Sequence, residues 1–397
     1  MLYLQHATIL TPDQVVDDGA IIVTGERITA VGPTDQLAAP DDAIVVEARG
    51  LTLTPGFIDL QLNGAFGLDF TADPRTIWDV AVRLPRYGCT SFLPTIITSP
   101  PETVQAAQDV MRLGPPANAK GAAALGLHLE GPFLNPQKRG AHNPAYLRQP
   151  GVNAVCGWSR DDHVCLVTLA PELPGAADVI AALRDRGVVI SAGHSLATYE
   201  EAHAGFDRGI RYGTHMGNAM PPFDHRAPGL IGALLADPRP TVGLIPDGIH
   251  IHPGLIALAL RSKGAVHVSV VTDAMAALGT PPGRYALGDF EVTVDAASAR
   301  LSDGRLAGSI LSLDQGVRNF MEFTGCTLRE AIATVTTTPA DLLGLADRGR
   351  IQPEAIADLV LLTPDRQVVM TIVRGEIAYQ SNSSNQAFLA EASEVSG

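Results

Sequence analysis

The chain has 397 residues, of which 46% are hydrophobic and 18% charged. That is ample for a large core and too long for one typical small domain. A formal net charge of −14 speaks against nucleic acid and anionic membrane surfaces as partners. An anionic small substrate then needs a local cluster of cations or N–H donors.

Residues 1–52 read as short strands and turns, in LYLQHATIL, GAIIVTGERITAVGP and AIVVEARG, punctuated by Gly25-Glu26-Arg27 and Gly32-Pro33. The far end, ADLVLLTP and VVMTIVRGEIAYQ, has the same texture. Together they imply one small β-sandwich domain, 1–52 plus 345–380, completed by both termini. The polar segment 381–397 reads as a flexible tail.

From 53 to 344 the pattern is apolar strand, loop and amphipathic helix, repeated. Eight strands are expected: GFIDLQ (56–61), TSFLPT (90–95), ALGLHLE (124–130), VCLVTLA (164–170), VVISAG (188–193), RYGTH (211–215), TVGLIP (241–246) and VHVSVVTD (266–273). Helical segments such as TIWDVAVRLPRYG (76–88), AADVIAALRDRG (176–187) and GLIALALRSKG (254–264) lie between them. They end at Gly with Arg or Lys nearby, a C-terminal signature. Such alternation means a parallel sheet. Eight strands, with no GxGxxG after the first, favour an α/β fold of the (β/α)8 TIM-barrel type over an open doubly wound sheet.

No run approaches 18 apolar residues, and the start MLYLQHATILTPDQ lacks the features of a signal peptide. Cys89, Cys156, Cys165 and Cys326 show no CxxC spacing, so free buried thiols and a cytoplasmic setting are expected.

Four polar residues close strands that should be buried: Glu130, His194, His215 and Asp273. In such barrels chemistry sits at the C-terminal mouths of the strands. One carboxylate and two imidazoles suit a single divalent metal with an open position, and a nearby Asp suits proton transfer. Each residue alone also has an ordinary reading, as a hydrogen-bonded core group or, for Asp273, a helix cap. His128 lies two residues before Glu130 on one strand face and reads as a barrel-interior residue rather than a ligand. Zinc suits the site, but Fe²⁺, Mn²⁺ or Co²⁺ fit the same donors.

The segments PGFIDLQLNG (55–64), LGLHLEGPFLNPQKRGAHNP (125–144), SAGHS (191–195), THMGNAM (214–220), RAPGLIGALL (226–235), PDGIHIHP (246–253), VTDAM (271–275) and RLAGS (305–309) carry a resemblance. They resemble the amidohydrolase superfamily and, within it, the N-acetylglucosamine-6-phosphate deacetylases. The resemblance implies Glu130, His194 and His215 as metal ligands, with Gln61 near the ion through a water. It implies Asp273 as general base and acid, and His142 as the group polarising the acetamide carbonyl. Asn218, the Ala219 N–H and Arg226 would hold the 6-phosphate, and His250 would contact the sugar. A homodimer is implied, with Arg226 and His250 supplied to the neighbouring subunit's site.

Two departures from the family pattern stand out. Gln61-Leu62-Asn63 replaces the His-x-His of binuclear members, which implies one metal ion. Gly217 stands where relatives usually carry an aromatic, which implies looser packing near the metal or a larger pocket. The alternatives are a deacetylase for the galacto epimer, a cyclic amide or imide hydrolase, and a catalytically inactive scaffold. The second usually needs His-x-His and a bridging lysine, and no lysine closes any of the eight strands.

Overall fold

The computed structural model describes residues 1–117 and 119–381; the segment read as a flexible tail lies outside them apart from Ser381. All eight expected strands form: Phe57–Leu62, Cys89–Ile97, Leu127–Glu130, Val164–Leu169, Val189–Ala192, Ile210–Gly213, Thr241–Leu244 and Val268–Val270. Each pairs in parallel with the next in chain order. The eighth returns to the first through a parallel bridge of Leu62 and Ala274. There Asp273 N–H donates to Gln61 C=O at 2.9 Å and Asn63 N–H to Ala274 C=O at 2.8 Å. These bonds close a barrel. Its strands read as near-continuous apolar runs because both faces are covered; Cys89–Ile97 is buried at every position.

Helices wrap the outside, and their ends follow local chemistry. Tyr199–Arg208 starts at a capping box, in which Thr198 and Glu201 satisfy each other's backbone N–H groups, and stops at Gly209. The expected helix over 76–88 is instead broken into Pro74–Thr76, Ile77–Ala81 and Leu84–Tyr87, only the second of them α-helical. Pro85 lacks an N–H and its ring disrupts the preceding turn.

Both termini build one eight-stranded sheet. Thr52–Pro55 pairs antiparallel with Leu359–Leu362 and parallel with Leu2–Leu10, which joins the two ends of the chain. The strand Thr52–Pro55 carries this sheet slightly past the boundary expected at 52. Leu4, Ile9, Ile21, Leu53, Leu359 and Ile372 belong to a core separate from that of the barrel.

Two hairpins have no counterpart among the expected strands, the short pair Gly64–Ala65 and Leu68–Asp69 and a longer one. Gly283–Leu287 and Phe290–Val294 form an antiparallel hairpin joined by Ala299–Arg300, packed against Ile97, Met275 and Ala307 beside the barrel mouth. The cysteines are all free, but only Cys89 and Cys165 are buried; Cys156 is exposed, contrary to expectation. Among the described residues no helix is long and apolar enough to cross a membrane.

Candidate active site

Glu130 is the last residue of the third barrel strand. His194, His215 and Asp273 lie two or three residues beyond the ends of the fifth, sixth and eighth. Those three take left-handed backbone angles, φ 51°, 31° and 48°, each costing roughly 1–3 kcal/mol for a residue other than glycine. The turn reverses the chain immediately past each strand and keeps the side chain over the mouth.

Glu130 Oε1 lies 3.0 Å from His194 Nε2 and 3.0 Å from His215 Nε2, and the two nitrogens are 3.1 Å apart. His194 Nδ1–H donates to Lys138 C=O at 2.8 Å, which leaves the Nε2 lone pair facing inward. Burial would raise the Glu130 carboxyl, but the His194 and His215 imidazoles against it hold it well below its usual range. This is the one cluster of three or more possible ligand groups among the described residues. A carboxylate oxygen and imidazole nitrogens converging at about 3 Å match the edges of a tetrahedron around a metal with bonds near 2.0–2.1 Å. The donor set fits the ion.

Asp273 stands beside this cluster. Its Oδ1 accepts Asn63 Nδ2–H at 2.7 Å, and burial, reinforced by the Glu130 charge, pushes its pKa up to about 6. His142 Nδ1 accepts the Thr98 N–H at 3.2 Å, so in the neutral ring the proton sits on Nε2, 3.8 Å from Glu130 Oε2. Burial and the neighbouring His194 push His142 down to about 3, which keeps it neutral. Glu130, His194, His215, Asp273 and His142 share one cavity of about 310 Å³.

Residues 52–378 match the model of the amidohydrolase family. The rat N-acetylglucosamine-6-phosphate deacetylase is 41% identical over 84% of this chain and 85% of its own. The chain belongs to the amidohydrolase family, among the N-acetylglucosamine-6-phosphate deacetylases. The structure of the Pasteurella multocida deacetylase is 34% identical, with a TM-score of 0.89 over 96% of this chain and all of that one. The Mycobacterium smegmatis deacetylase, solved as an aspartate-to-alanine mutant in complex with N-acetyl-D-glucosamine-6-phosphate, gives 33% identity and a TM-score of 0.87. It covers 96% of this chain and 99% of its own.

In this amidohydrolase, Asn218, Ala219 and His250 also line the cavity. The Asn218 side chain donates to His215 C=O at 3.1 Å, and Ala219 takes a left-handed φ of 50°. His250 Nδ1 pairs with Asp247 Oδ2 at 2.6 Å. Where the resemblance implies His250 for a neighbouring site, its side chain here lines the cavity of its own chain. Arg226 is exposed on a loop and does not line this cavity. The cations in the wall are Lys138, which donates to Met220 C=O at 2.9 Å, and Arg305, which is bonded to Asp303 and Gly140 C=O.

Gln61 Nε2–H donates to Glu130 Oε1 at 3.2 Å. His128 is enclosed in the barrel, bonded to Thr168 Oγ1 at 2.8 Å, and burial lowers its pKa to about 4; it is a structural residue. Gly217 is not part of the cavity wall: a Cβ there would face Ile251 and Leu255. Three contributions are not marked by strand-end position: the Asn63 amide on Asp273, the Thr98 N–H on His142 and the Lys138 carbonyl on His194. Asn63 carried a signal, standing two residues from Gln61 on the same strand face. The other two act through the backbone, which their side chains do not announce.

Proposed function

We propose that this amidohydrolase hydrolyses the acetamide of N-acetyl-D-glucosamine 6-phosphate to acetate and glucosamine 6-phosphate. The observation that carries this is the Glu130–His194–His215 cluster in one cavity with a buried carboxylate and a neutral histidine. A divalent ion bound by these three residues supplies Lewis acidity and lowers the pKa of its water to about 7. We take it to be a single zinc, because Asn63 is engaged with Asp273 and Gln61 with Glu130. The Gln61 carbonyl oxygen, buried without a protein partner, suits a water beside the ion.

Asp273 accepts a proton from the attacking water as the new C–O bond forms, and Asn63 keeps its carboxylate oriented. His142 donates Nε2–H to the carbonyl oxygen as negative charge develops there, because Thr98 occupies Nδ1. Asp273 then gives its proton to the nitrogen as the C–N bond breaks. The 6-phosphate is held by Asn218, the Ala219 N–H and Arg226 of a neighbouring copy, and His250 contacts the sugar. Arg226 suits that part because it is exposed and lies outside its own cavity. A guanidinium recognises phosphate bidentately against an acidic surface. A cytoplasmic homodimer follows from this reading.

Acetate release by the zinc-loaded protein tests it, on N-acetylglucosamine 6-phosphate, its unphosphorylated form and the galacto epimer. Strong preference for the phosphorylated gluco sugar is expected. Preference for the galacto epimer would keep the mechanism and change the substrate; no release from any of them would overturn the reading.

A further inference from the structure

The longer hairpin that the barrel repeat does not contain reaches the catalytic cavity through one side chain, Leu287. Leu287 closes its first strand, and the two-residue turn Gly288-Asp289 returns the chain to Phe290. The turn is tied down on both sides of the mouth. Gly288 N–H donates to Asp69 Oδ2 at 3.3 Å, and Asn143 Nδ2–H donates to Asp289 Oδ2 at 2.8 Å. Asn143 directly follows His142, so the tether runs next to the reacting centre.

The cavity lining has two chemical characters. Lys138, Asn218, the Ala219 backbone and His250 are polar lining groups; Ile97, Ala141 and Leu287 line the cavity too and pack in one apolar cluster. The phosphate, hydroxyls and amide of an N-acetyl amino sugar phosphate all need polar partners when buried. Its acyl methyl has no polar atom and is stabilised against apolar surface. The apolar lining adjoins His142 through the chain itself: Ala141 precedes His142, and Ile97 precedes Thr98, whose N–H bonds its ring. An acetamide carbonyl bonded to His142 thus lies next to the segments that carry Ile97 and Ala141, with apolar surface for its methyl within the same cavity.

Adjoining it is a second hollow of about 360 Å³, lined by Ile97, Thr98, Asn143, Gly288 and Phe290 among others. A Cβ at Gly288 would come within 3.0 Å of Ile97 Cδ1, so turn and strand are in close contact. Ile97 is the lining residue the two spaces share.

The geometry points to Leu287 as the residue that limits the size of the acyl group, with Ile97 as its partner in the wall. This rests on the deacetylase reading above and extends it to the acyl substituent. A group longer than acetyl meets Leu287, while shortening Leu287 removes that contact and widens the cavity it lines.

The test measures kcat/KM for N-formyl, N-acetyl, N-propionyl and N-butyryl glucosamine 6-phosphate with the zinc-loaded wild type, Leu287→Ala and Leu287→Phe. One methylene in an apolar pocket is worth about 10–200-fold in discrimination. Leu287→Ala should raise the butyryl-to-acetyl ratio at least tenfold over wild type. Leu287→Phe should lower the acetyl-to-formyl ratio by a similar factor, and carries the test if the alanine variant does not fold. Smaller shifts in the folded variants, or equal losses on all four substrates, would overturn the assignment while leaving the deacetylase reading intact. A wild type inactive on all four would overturn both.

Discussion

At the floor of the barrel Asp358 is buried against the Arg348 guanidinium, its Oδ1 accepts Arg374 N–H at 2.9 Å and its carbonyl accepts Gly56 N–H at 2.7 Å. At the mouth Glu130 is equally buried, but its side-chain partners are two imidazoles and an amide, and no lysine or arginine among the described residues bonds to it. The floor balances its charge within the chain. The mouth instead converges a carboxylate oxygen and two imidazole nitrogens on one point, a donor set that could hold a metal ion. Even at the floor the balance is close: burial raises the pKa of Asp358 in spite of Arg348. A buried pair of that kind ties the terminal sheet to the barrel and adds little net stability. The same cost at the mouth is spent on chemistry.

The largest effect should come from breaking the mouth alone. Asp273→Asn should lower kcat by about 10²–10⁴-fold, the range for a lost general base, with metal content and the melting temperature close to wild type. Acetate release together with elemental analysis checks this, and turnover near the wild-type level with metal bound would put the base elsewhere. The converse change is at the floor. Arg348→Met leaves Asp358 buried without its cation and should cost about 3–5 kcal/mol in urea unfolding, while kcat per folded molecule stays within about twofold.

A third prediction concerns the barrel interior between the two ends. Asp59 is buried with Thr272 Oγ1–H at 2.6 Å, and burial, against hydrogen bonds from Thr272 and Gln61, pushes its pKa up from 3.8 to about 7. The folded state therefore holds this proton more tightly than the unfolded chain. Its contribution is full below about pH 4 and is lost as pH rises through about 7, by up to about 4 kcal/mol. Asp59→Asn should flatten stability between pH 4 and pH 8, raising it relative to wild type at the higher value. An unchanged pH slope in urea titrations would show that Asp59 stays ionised. The smallest effect should come from Thr198→Ala, which removes a helix cap distant from mouth and floor. It should cost about 1 kcal/mol at every pH and leave turnover untouched.

Much of this architecture was legible because parallel barrel strands are buried on both faces and read as apolar runs. The same burial made Glu130, His194, His215 and Asp273 conspicuous, since each is a polar group where a strand should simply stop. The hairpin of 283–294 also carried a signal, alternating side chains around Gly288-Asp289. It does not follow the strand–helix rhythm, so the eightfold pattern passes over it. The broken helix at 77–81 was marked by Pro85 within an otherwise helical pattern.

The chain's own order of residues determined the barrel, the pairing of its termini and which acidic and imidazole groups gather at the mouth, because periodicity and burial act over short stretches. Tertiary structure alone decided which ring nitrogen faces inward, since that depends on the Lys138 and Thr98 backbone groups, which sit beside His194 and His142 only after folding. It also decided that His250 lines the cavity of its own chain and that a side chain at Gly217 would meet Ile251 and Leu255. These are facts of direction rather than composition. A side chain's direction is set by packing and hydrogen bonds from elements distant in sequence, and no local pattern records it.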